Sequence, residues 1–274
     1  MTSEHLEKTR AFHALHVAGT PLVLPNAWDV ASACLVEEAG AAAVATTSAG
    51  VAWSLGAPDG DLLDRDRAID LVARVVAAVD VPVTADIESG FGADPAGVAD
   101  TIRRLLDAGA SGVNIEDAHR DGLRPVDEQA ARIAAARQAA DAAGIPLFVN
   151  VRVDTYLLRV GDPATRLRET LDRASAYVAA GADGVFVPGV TDPATVAELS
   201  ASIAVPLNIL AGPGAPTIAE LGRLGAARVS VGSSVALSAY GLAQRAAREL
   251  FTTGTYDALA GALDYGRLNE LLRH

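Results

Sequence analysis

The chain has 274 residues, half of them hydrophobic, and its 34 acidic and 22 basic residues leave a net charge of −12 at pH 7. This balance disfavours nucleic acids and anionic membranes as partners, because both need a basic surface. A single cysteine, Cys34, excludes intrachain disulfides and thiolate metal clusters. Because no apolar run is long enough to span a membrane and the first residues are too polar for a secretory signal, we expect a cytoplasmic protein that folds as one domain over residues 1–274.

Short, nearly continuous apolar runs alternate along the chain with stretches of helical spacing. Such runs are typical of strands that are buried on both faces of a parallel sheet, each followed by a helix. Eight runs are predicted as strands, at residues 21–25, 42–47, 82–87, 112–115, 146–153, 184–187, 205–210 and 227–231.

Helices are predicted between these strands and at both ends of the chain. Aspartate followed by proline at 94–95, 162–163 and 192–193 favours three helix starts, and glycines 109, 144 and 181 favour three helix ends. The predicted helices are 5–17, 30–39, 64–79, 95–108, 126–143, 163–180, 233–251 and 256–272.

Eight strand–helix units predict a (β/α)₈ barrel with extra helices at its N- and C-terminal ends. The alternative is a doubly wound open sheet, which usually has a glycine-rich first turn. Here the first turn, 25–29, reads Pro-Asn-Ala-Trp-Asp and contains no glycine. The barrel is therefore favoured.

Acidic residues gather where the predicted strands end, which is where barrels place their active sites. Asp59 follows the second strand, Asp86 and Glu88 follow the third, and Glu116 ends the fourth. Crowded carboxylates repel one another, and a hard cation such as Mg²⁺ or Mn²⁺, which binds carboxylates and water, would relieve the repulsion. Helix capping or pairing with arginine is the alternative for each single acid.

Four other polar or aromatic side chains are candidates for contact with a ligand. Arg152 lies in a strand that otherwise reads as buried, so it needs either a core acid or an anionic substrate as its partner. Asn208 is either a core amide or a ligand contact, and Trp53 either lines the pocket or packs at a subunit contact. His119, the only histidine away from the termini, is an acid/base candidate or a solvated loop residue.

Four segments together resemble the isocitrate lyase / phosphoenolpyruvate mutase superfamily. They are Ser48-Ala49-Gly50 with Asp59 downstream, Ala-Asp-Ile-Glu-Ser-Gly-Phe-Gly at 85–92, Asn-Ile-Glu-Asp at 114–117 and Val-Arg-Val-Asp at 151–154. The resemblance implies a (β/α)₈ barrel that assembles as a homodimer or homotetramer, with the eighth helix exchanged between subunits. The apolar helix 233–251 is compatible with such exchange and also with packing on its own barrel.

The resemblance also implies roles for single residues. Asp86 and Glu88 match the acids that hold Mg²⁺, largely through water, with Asp59 and Glu116 beside them. The backbone of Ser48, Ala49 and Gly50 matches the stretch that cradles the carboxylate and oxo group of the substrate. Arg152 matches an arginine that contacts the substrate.

The chain departs from the family pattern at several positions. The Lys-Lys/Arg-Cys-Gly-His loop of the lyases is absent, because residues 116–124 read Glu-Asp-Ala-His-Arg-Asp-Gly-Leu-Arg. The Lys and Asn-Ser of the phosphonate-processing branch are also absent there. Glu88 replaces a more usual aspartate, Val-Pro-Gly at 187–189 replaces the acid or histidine of relatives, and Asn208 is about two positions from the asparagine of the lyases.

The missing loop thiol favours chemistry that needs no dedicated cysteine acid. We therefore expect a Mg²⁺-dependent carbon–carbon lyase that acts on a small 2-oxo or 2-hydroxy dicarboxylic acid through a metal-stabilised enolate, resembling oxaloacetate decarboxylase or methylisocitrate and isocitrate lyases. The alternatives are phosphonopyruvate hydrolase or phosphoenolpyruvate mutase-like P–C chemistry, and a non-catalytic barrel that binds a 2-oxo acid. A further alternative is a sugar-phosphate enzyme, since glycine- and serine-rich loops at 211–214 and 232–234 lie where many barrels bind phosphate.

Overall fold

Parallel strands form the centre of the molecule in the computed structural model, which describes residues 2–119 and 122–273. All eight predicted strand segments are confirmed, with ends that differ from the predicted ones by at most two residues. We label them β1 (Leu22–Leu24, continued by Asn26–Ala27), β2 (Val44–Thr46), β3 (Val83–Asp86), β4 (Gly112–Glu116), β5 (Phe148–Arg152), β6 (Gly184–Val187), β7 (Leu207–Leu210) and β8 (Arg228–Ser230).

The sheet closes into a barrel because its two edges are consecutive pieces of β1. The first piece pairs with β8 and the second piece pairs with β2, both in parallel. Pro25, which has no N–H to donate, separates them. Asn26 ties the barrel together at this break: its Oδ1 accepts hydrogen bonds from the amides of Val231 (3.1 Å) and Gly232 (2.8 Å), and its Nδ2 donates to Thr46 O at 3.0 Å. Sequence analysis had predicted a turn at this asparagine.

Helices surround the barrel. Those of the described residues are α1 (Ser3–Ala14), α2 (Val30–Glu38), α3 (Ser48–Ser54), α4 (Arg65–Ala78), α5 (Pro95–Asp107), α6 (Val126–Ala142), α7 (Arg166–Ala179), α8 (Pro193–Ser202), α9 (Ile218–Arg223), α10 (Ser234–Thr252) and α11 (Tyr265–Leu271). Within residues 2–119 and 122–273, no helix has the combination of length and apolar composition that a membrane crossing requires.

Two of the three aspartate–proline helix starts are confirmed. Asp94 accepts a hydrogen bond from Gly97 N at 2.8 Å, and Asp192 accepts one from Thr195 N at 2.9 Å, as N-cap residues do. The prediction that a helix starts at Pro163 is wrong. Asp162 accepts from Ala164 N and forms a turn, so that α7 begins only at Arg166.

Two other predictions need correction. Residues 48–54, which are not among the predicted helices, form α3, so Trp53 lies on a helix. The C-terminal helix predicted over 256–272 is divided into a 3₁₀ turn (Asp257–Leu259) and α11. Gly261, with a φ of +79°, lies between them and ends the first piece.

The main apolar core lies between the strands and the helices, whereas the barrel lumen contains polar side chains. Asn150 Nδ2 donates to Asn114 Oδ1 (2.9 Å) and to Asn208 Oδ1 (3.1 Å). Arg228 Nη2 donates to the same Asn114 oxygen at 3.2 Å. All four side chains are at most 5% exposed, so this layer is internal structure beneath the mouth of the barrel.

Helix α1 covers the amino-terminal end of the barrel. The His5 ring lies 2.8 Å from Ala110 O, and the His13 ring lies 2.7 Å from Pro146 O, on the segments that lead into β4 and β5. Just after α1, the buried His16 stacks on Phe148 with ring centroids 3.9 Å apart. This end of the barrel is therefore closed, and the carboxyl ends of the strands remain for a site.

The burial of His16 predicts a pH dependence of stability. Burial, aided by the nearby Arg228 charge, lowers the pKa of His16 from 6.5 to about 3. Between these values the unfolded chain binds a proton that the folded chain does not, so the folded state loses about 1.4 kcal/mol per pH unit as the pH falls below 6.5. Between pH 7 and pH 5 we expect the stability advantage of wild type over His16→Gln to shrink by about 2 kcal/mol in urea unfolding. Parallel pH profiles for the two proteins would contradict this assignment.

Candidate active site

Asp86 ends β3 at the open end of the barrel and is fixed by hydrogen bonds with three neighbours. Its backbone N–H donates to Thr46 Oγ1 at 3.0 Å, and its carboxylate accepts from Ser48 Oγ at 3.2 Å and from Glu88 N at 3.4 Å. These bonds anchor Asp86 to the end of β2 and to the turn that follows β3. Its carboxylate thus has a defined orientation, and none of its hydrogen-bond partners among the described residues is a cation.

Glu88 lies in the turn after β3 and is only 2% exposed. Its backbone is in the left-handed region, with a φ of +51°, which is unfavourable for a residue with a side chain. Its Oε2 accepts hydrogen bonds from the backbone amides of Gly60 (3.0 Å) and Asp61, and Asp61 Oδ1 in turn accepts from Ser89 N at 3.3 Å. Glu88 therefore holds the loop that carries Asp59, which is itself exposed.

Arg152 ends β5 between two acids. Its Nε and Nη2 make a bidentate pair with Asp154, both at 2.7 Å, and its Nη1 lies 2.5 Å from Glu116 Oε2 at the end of β4. The side chain is 17% exposed, so the guanidinium is largely desolvated but not sealed. The sequence left open whether Arg152 pairs with a core acid or with an anionic substrate. The structure allows both, because Arg152 has acid partners in the core and still faces the open end of the barrel.

A buried network behind Asp154 holds this arginine in place. Asp117 Oδ1 accepts from Asp154 N at 2.9 Å, and Asp117 Oδ2 accepts from Tyr177 Oη at 2.9 Å and from Arg173 Nη1 at 3.2 Å. Asp117 and Tyr177 are fully buried. Helix α7 thus braces the ends of β4 and β5 through side chains that sequence analysis had not singled out.

The acids at this end of the barrel are crowded enough to resist ionisation. Burial, reinforced by Asp59, raises the pKa of Asp86, although Arg152 opposes the change. Burial, reinforced by the Asp61, Asp59 and Asp86 charges, raises the pKa of Glu88 to about 7. Burial also raises the pKa of Glu116 well above its usual value, even beside Arg152. The site therefore has a deficit of positive charge.

That deficit fits a hard divalent cation. Burial alone would lower the pKa of Arg152, but Glu116 and Asp154 raise it above its ordinary value, so its charge is already engaged by these two acids. Asp86 and Glu88 are left as the oxygen donors for a cation. Within residues 2–119 and 122–273 no three acidic, histidine or cysteine side chains converge as direct ligands. The donor set matches Mg²⁺, which commonly keeps several waters and binds only one or two carboxylates.

Ser48, Ala49 and Gly50, predicted to hold a substrate through their backbone, form the first turn of α3. Thr47 makes no side-chain cap at this helix start, so the first amide groups are not capped by it. Gly50 is required sterically, because a Cβ there would lie 2.7 Å from Trp28 Cβ. Trp53, farther along α3, packs edge-on against Tyr240 of α10 with ring centroids 6.2 Å apart.

The remaining two candidates are placed differently. Asn208 is 1% exposed, and its amide is engaged within the lumen, accepting from Asn150 and donating to Ser230 Oγ at 3.2 Å. His119 is exposed on a two-residue hairpin strand and borders a cavity of about 310 Å³ with Asp61 and Ser89. The following Arg120 and Asp121, part of the segment where relatives carry their reactive loop, lie outside the described residues.

Comparison with known proteins identifies relatives over most of the chain. The family model described as phosphoenolpyruvate phosphomutase matches residues 12–251. An uncharacterised protein of Mycobacterium tuberculosis is 46% identical over 223 residues, which span 81% of this chain and 82% of the relative. A 2-methylisocitrate lyase of Escherichia coli is 32% identical over 209 residues, 72% of this chain and 68% of that enzyme. Oxaloacetate decarboxylase 2 of Pseudomonas fluorescens is 33% identical over 208 residues, 71% and 67% of the two chains.

Solved structures share the same fold. A Burkholderia cenocepacia protein described provisionally as a lyase/mutase has a TM-score of 0.92 and 39% identity, covering 100% of this chain and 98% of its own. A phosphonopyruvate hydrolase solved with oxalate and Mg²⁺ has a TM-score of 0.82 and 24% identity, covering 96% and 94%. At that identity the second likeness concerns the fold alone.

Proposed function

The chain belongs to the phosphoenolpyruvate phosphomutase family of the isocitrate lyase superfamily, and from this premise we propose that it is a Mg²⁺-dependent carbon–carbon lyase. Its substrate is a small 2-oxo or 2-hydroxy dicarboxylic acid, and its place of action is the cytoplasm. One observation carries the proposal: Asp86 and Glu88, which form no ion pair within residues 2–119 and 122–273, lie at the same end of the barrel as the fixed guanidinium of Arg152. Acids that hold a metal ion, next to an arginine that binds an anion, suit a 2-oxo acid, because such a substrate can chelate the metal ion and also offers a carboxylate to the arginine.

In this proposal Asp86 and Glu88 hold the cation, with Asp59 orienting its waters. A bound Mg²⁺ would polarise the 2-oxo group and the adjacent carboxylate, so that negative charge can develop when the C–C bond breaks. Arg152 binds a substrate carboxylate, and the first amides of α3, at Ser48 to Gly50, donate to the oxygens beside it. Asp154 keeps the guanidinium in one orientation throughout.

Glu116 is suited to exchange a proton near the reacting carbon. Burial raises its pKa well above the usual value of a carboxyl group, which favours the protonated form, and a protonated Glu116 releases Arg152 to an incoming carboxylate. For oxaloacetate the products are CO₂ and pyruvate enolate, which takes up one proton from this acid or from water. No cysteine is needed in this sequence of events.

The test is release of pyruvate from oxaloacetate and from methylisocitrate, and of glyoxylate from isocitrate, with and without Mg²⁺. We expect turnover of at least one of them above the rate with Mg²⁺ alone, and loss of that turnover on chelation. Ligand-induced stabilisation without turnover of any of the three would instead favour a non-catalytic barrel that binds 2-oxo acids.

P–C chemistry is the second candidate, and the description of the matching family model, phosphoenolpyruvate phosphomutase, favours it. The same acids and arginine would hold phosphonopyruvate, whose carboxylate and oxo group are those of a 2-oxo acid. Phosphate release from phosphonopyruvate, in the absence of activity on the dicarboxylic acids, would favour this alternative.

We also propose that the protein is a homo-oligomer with α10 exchanged between subunits. Only Ala236 and Ala246 of this 19-residue helix are buried, and its exposed side chains include Leu237 (54%), Leu242 and Leu250. Barrel strands are normally covered on the outside by helices. Here an apolar groove of about 710 Å³ runs beside β1 and α2, and Val23 of β1 is exposed in it. A partner's α10 would fill this groove.

Oligomer formation is expected to depend on this helix. Light scattering should give the mass of a dimer or tetramer for wild type, whereas Leu237→Glu combined with Leu242→Glu should give a monomer, because two charges cannot be buried in an apolar contact. Gln244→Glu, an equally exposed polar position of α10, is the control and should keep the wild-type mass. A monomeric wild-type protein would contradict the proposal.

A further inference from the structure

Arg132 of α6 lies directly beneath the turn that carries Glu88. Its side chain is fully buried, and its Nη2 donates to two backbone carbonyls of that turn, Ser89 O at 2.7 Å and Gly92 O at 2.8 Å. One nitrogen therefore draws together the two ends of a four-residue segment. Sequence analysis assigned no role to this arginine.

The turn above Arg132 is one that a chain does not adopt readily. Glu88 (φ +51°), Gly90 (φ +101°) and Phe91 (φ +50°) are all left-handed, although two of them carry side chains. Such a conformation persists only where the surroundings impose it. The two hydrogen bonds from Arg132 are a constraint of that kind, and they act one and four residues beyond Glu88.

The same helix also holds the neighbouring acid. Gln129, one turn before Arg132, is fully buried and donates from Nε2 to Glu116 O at 3.0 Å. Glu116 N donates to Glu88 O at 2.9 Å, which joins the ends of β3 and β4. Helix α6 thus fixes the main chain at both acids through two side chains on one of its faces.

Arg132 also places a positive charge at a buried position that an apolar side chain could fill. Its Nε and Nη1 have no hydrogen-bond partner within residues 2–119 and 122–273, and its Nη2 bonds to carbonyls only. A buried cation without a hydrogen-bonded anion is costly compared with an apolar side chain of similar volume. Its presence behind a cluster of acids supports a role at the site over one in core packing.

We propose that Arg132 is a positioning residue for Glu88, holding the backbone of its turn in the geometry that binds the divalent cation. This rests on the proposed metal-dependent function. Arg132 touches neither cation nor substrate and acts through the carbonyls of Ser89 and Gly92. Loss of the two hydrogen bonds would let the turn relax toward ordinary backbone angles and displace Glu88.

The test measures Mn²⁺ binding by the full-length protein, by electron paramagnetic resonance and without substrate, together with kcat/KM. Arg132→Met is expected to weaken Mn²⁺ binding by about 10- to 100-fold, as is typical for loss of a residue that orients metal ligands. Arg132→Lys keeps the charge but cannot bridge both carbonyls in the same way. Its Mn²⁺ affinity should therefore lie between those of Arg132→Met and wild type.

Arg137→Met is the matched control. Arg137 lies on the same helix and also donates to two backbone carbonyls, Gly181 O (3.1 Å) and Leu147 O (2.8 Å), while pairing with Asp183. These carbonyls lie at the amino-terminal end of the barrel, so the control should lose thermal stability and keep the Mn²⁺ affinity within about twofold, as a distant independent site should.

The outcomes separate the inference from the proposed function. Wild-type protein that binds no Mn²⁺ overturns the proposed metal site and the inference with it. Wild-type protein that binds Mn²⁺ while Arg132→Met binds it equally well overturns the inference alone. If Arg132→Met does not fold, the Mn²⁺ affinity of Arg132→Lys is the test. A Mn²⁺ affinity of Arg132→Lys equal to that of wild type would then overturn the positioning role of Arg132.

Discussion

Asp86→Asn is expected to lower kcat/KM for pyruvate release by about three orders of magnitude, since a metal clamp supplies several kcal/mol and each 1.4 kcal/mol is a factor of ten. The substitution keeps the shape of the side chain and can keep the hydrogen bond with Ser48. It removes only the charge that the cation needs. The measurement is steady-state kinetics with saturating Mg²⁺.

The stability of the same variant distinguishes a functional acid from a structural one. Because burial already raises the pKa of Asp86, removing its charge without metal should leave the thermal midpoint unchanged or raise it. Added Mg²⁺ should stabilise wild type more than the variant, because only a protein that binds the ion gains by mass action. Asp192→Asn at the cap of α8 should leave both activity and Mg²⁺ stabilisation intact. A large loss of stability in Asp86→Asn would mean that the acid is structural.

Arg152→Lys is expected to lower kcat/KM by about two orders of magnitude, because the lysine ammonium is a point charge and cannot replace a guanidinium fork held bidentately by Asp154. The effect should appear chiefly as a raised KM, since the carboxylate of the substrate is bound before the C–C bond breaks. A KM unchanged from wild type would assign Arg152 a role in the core only.

Arg152→Met removes the positive charge altogether and so measures how much the buried ion pairs contribute to stability. Removing one partner of a buried ion pair typically costs about 3–5 kcal/mol, because the remaining acids are left uncompensated. Adding Glu116→Gln removes one of those acids, so the double variant should recover part of the lost unfolding free energy. Urea unfolding of the single and double variants tests this coupling. Arg104→Met, which breaks exposed ion pairs with Asp66 and Asp100, should change stability by about 1 kcal/mol or less.

The barrel was predictable from the sequence because each of its strands has a recognisable pattern of apolar residues. Each run is buried on both faces, so its apolar residues are continuous, and no other common soluble architecture repeats that pattern eight times between helices. Local capping was also predictable where a side chain meets its own helix, as at Asp94 and Asp192. The same aspartate–proline pattern at Asp162 closes a turn instead, because Asp162 bonds to Ala164 N before a helix can begin.

Asp86, Glu88 and Glu116 were predictable because they lie at or directly after strand ends, which the fold itself brings together. Arg132, Gln129 and Arg173 were missed because they lie on helices, where a buried arginine and a solvated one have the same sequence context. Asn208 lies in a predicted strand, but its role could not be predicted. Its position in a strand left a core amide and a ligand contact open, and only the neighbouring Asn150 and Ser230 decide that its amide is engaged in the lumen.

By itself the sequence determined the fold class, the acidic site at the strand ends and the family, because these depend on residue types at short and regular spacing. Tertiary structure alone decided which charges meet. It pairs Arg152 with Glu116 and Asp154, leaves Asp86 and Glu88 without an ion pair among the described residues, and brings Arg132 of α6 beneath the turn after β3. Electrostatic energies fall steeply with distance and depend on burial, and both quantities arise only when segments far apart in sequence pack together.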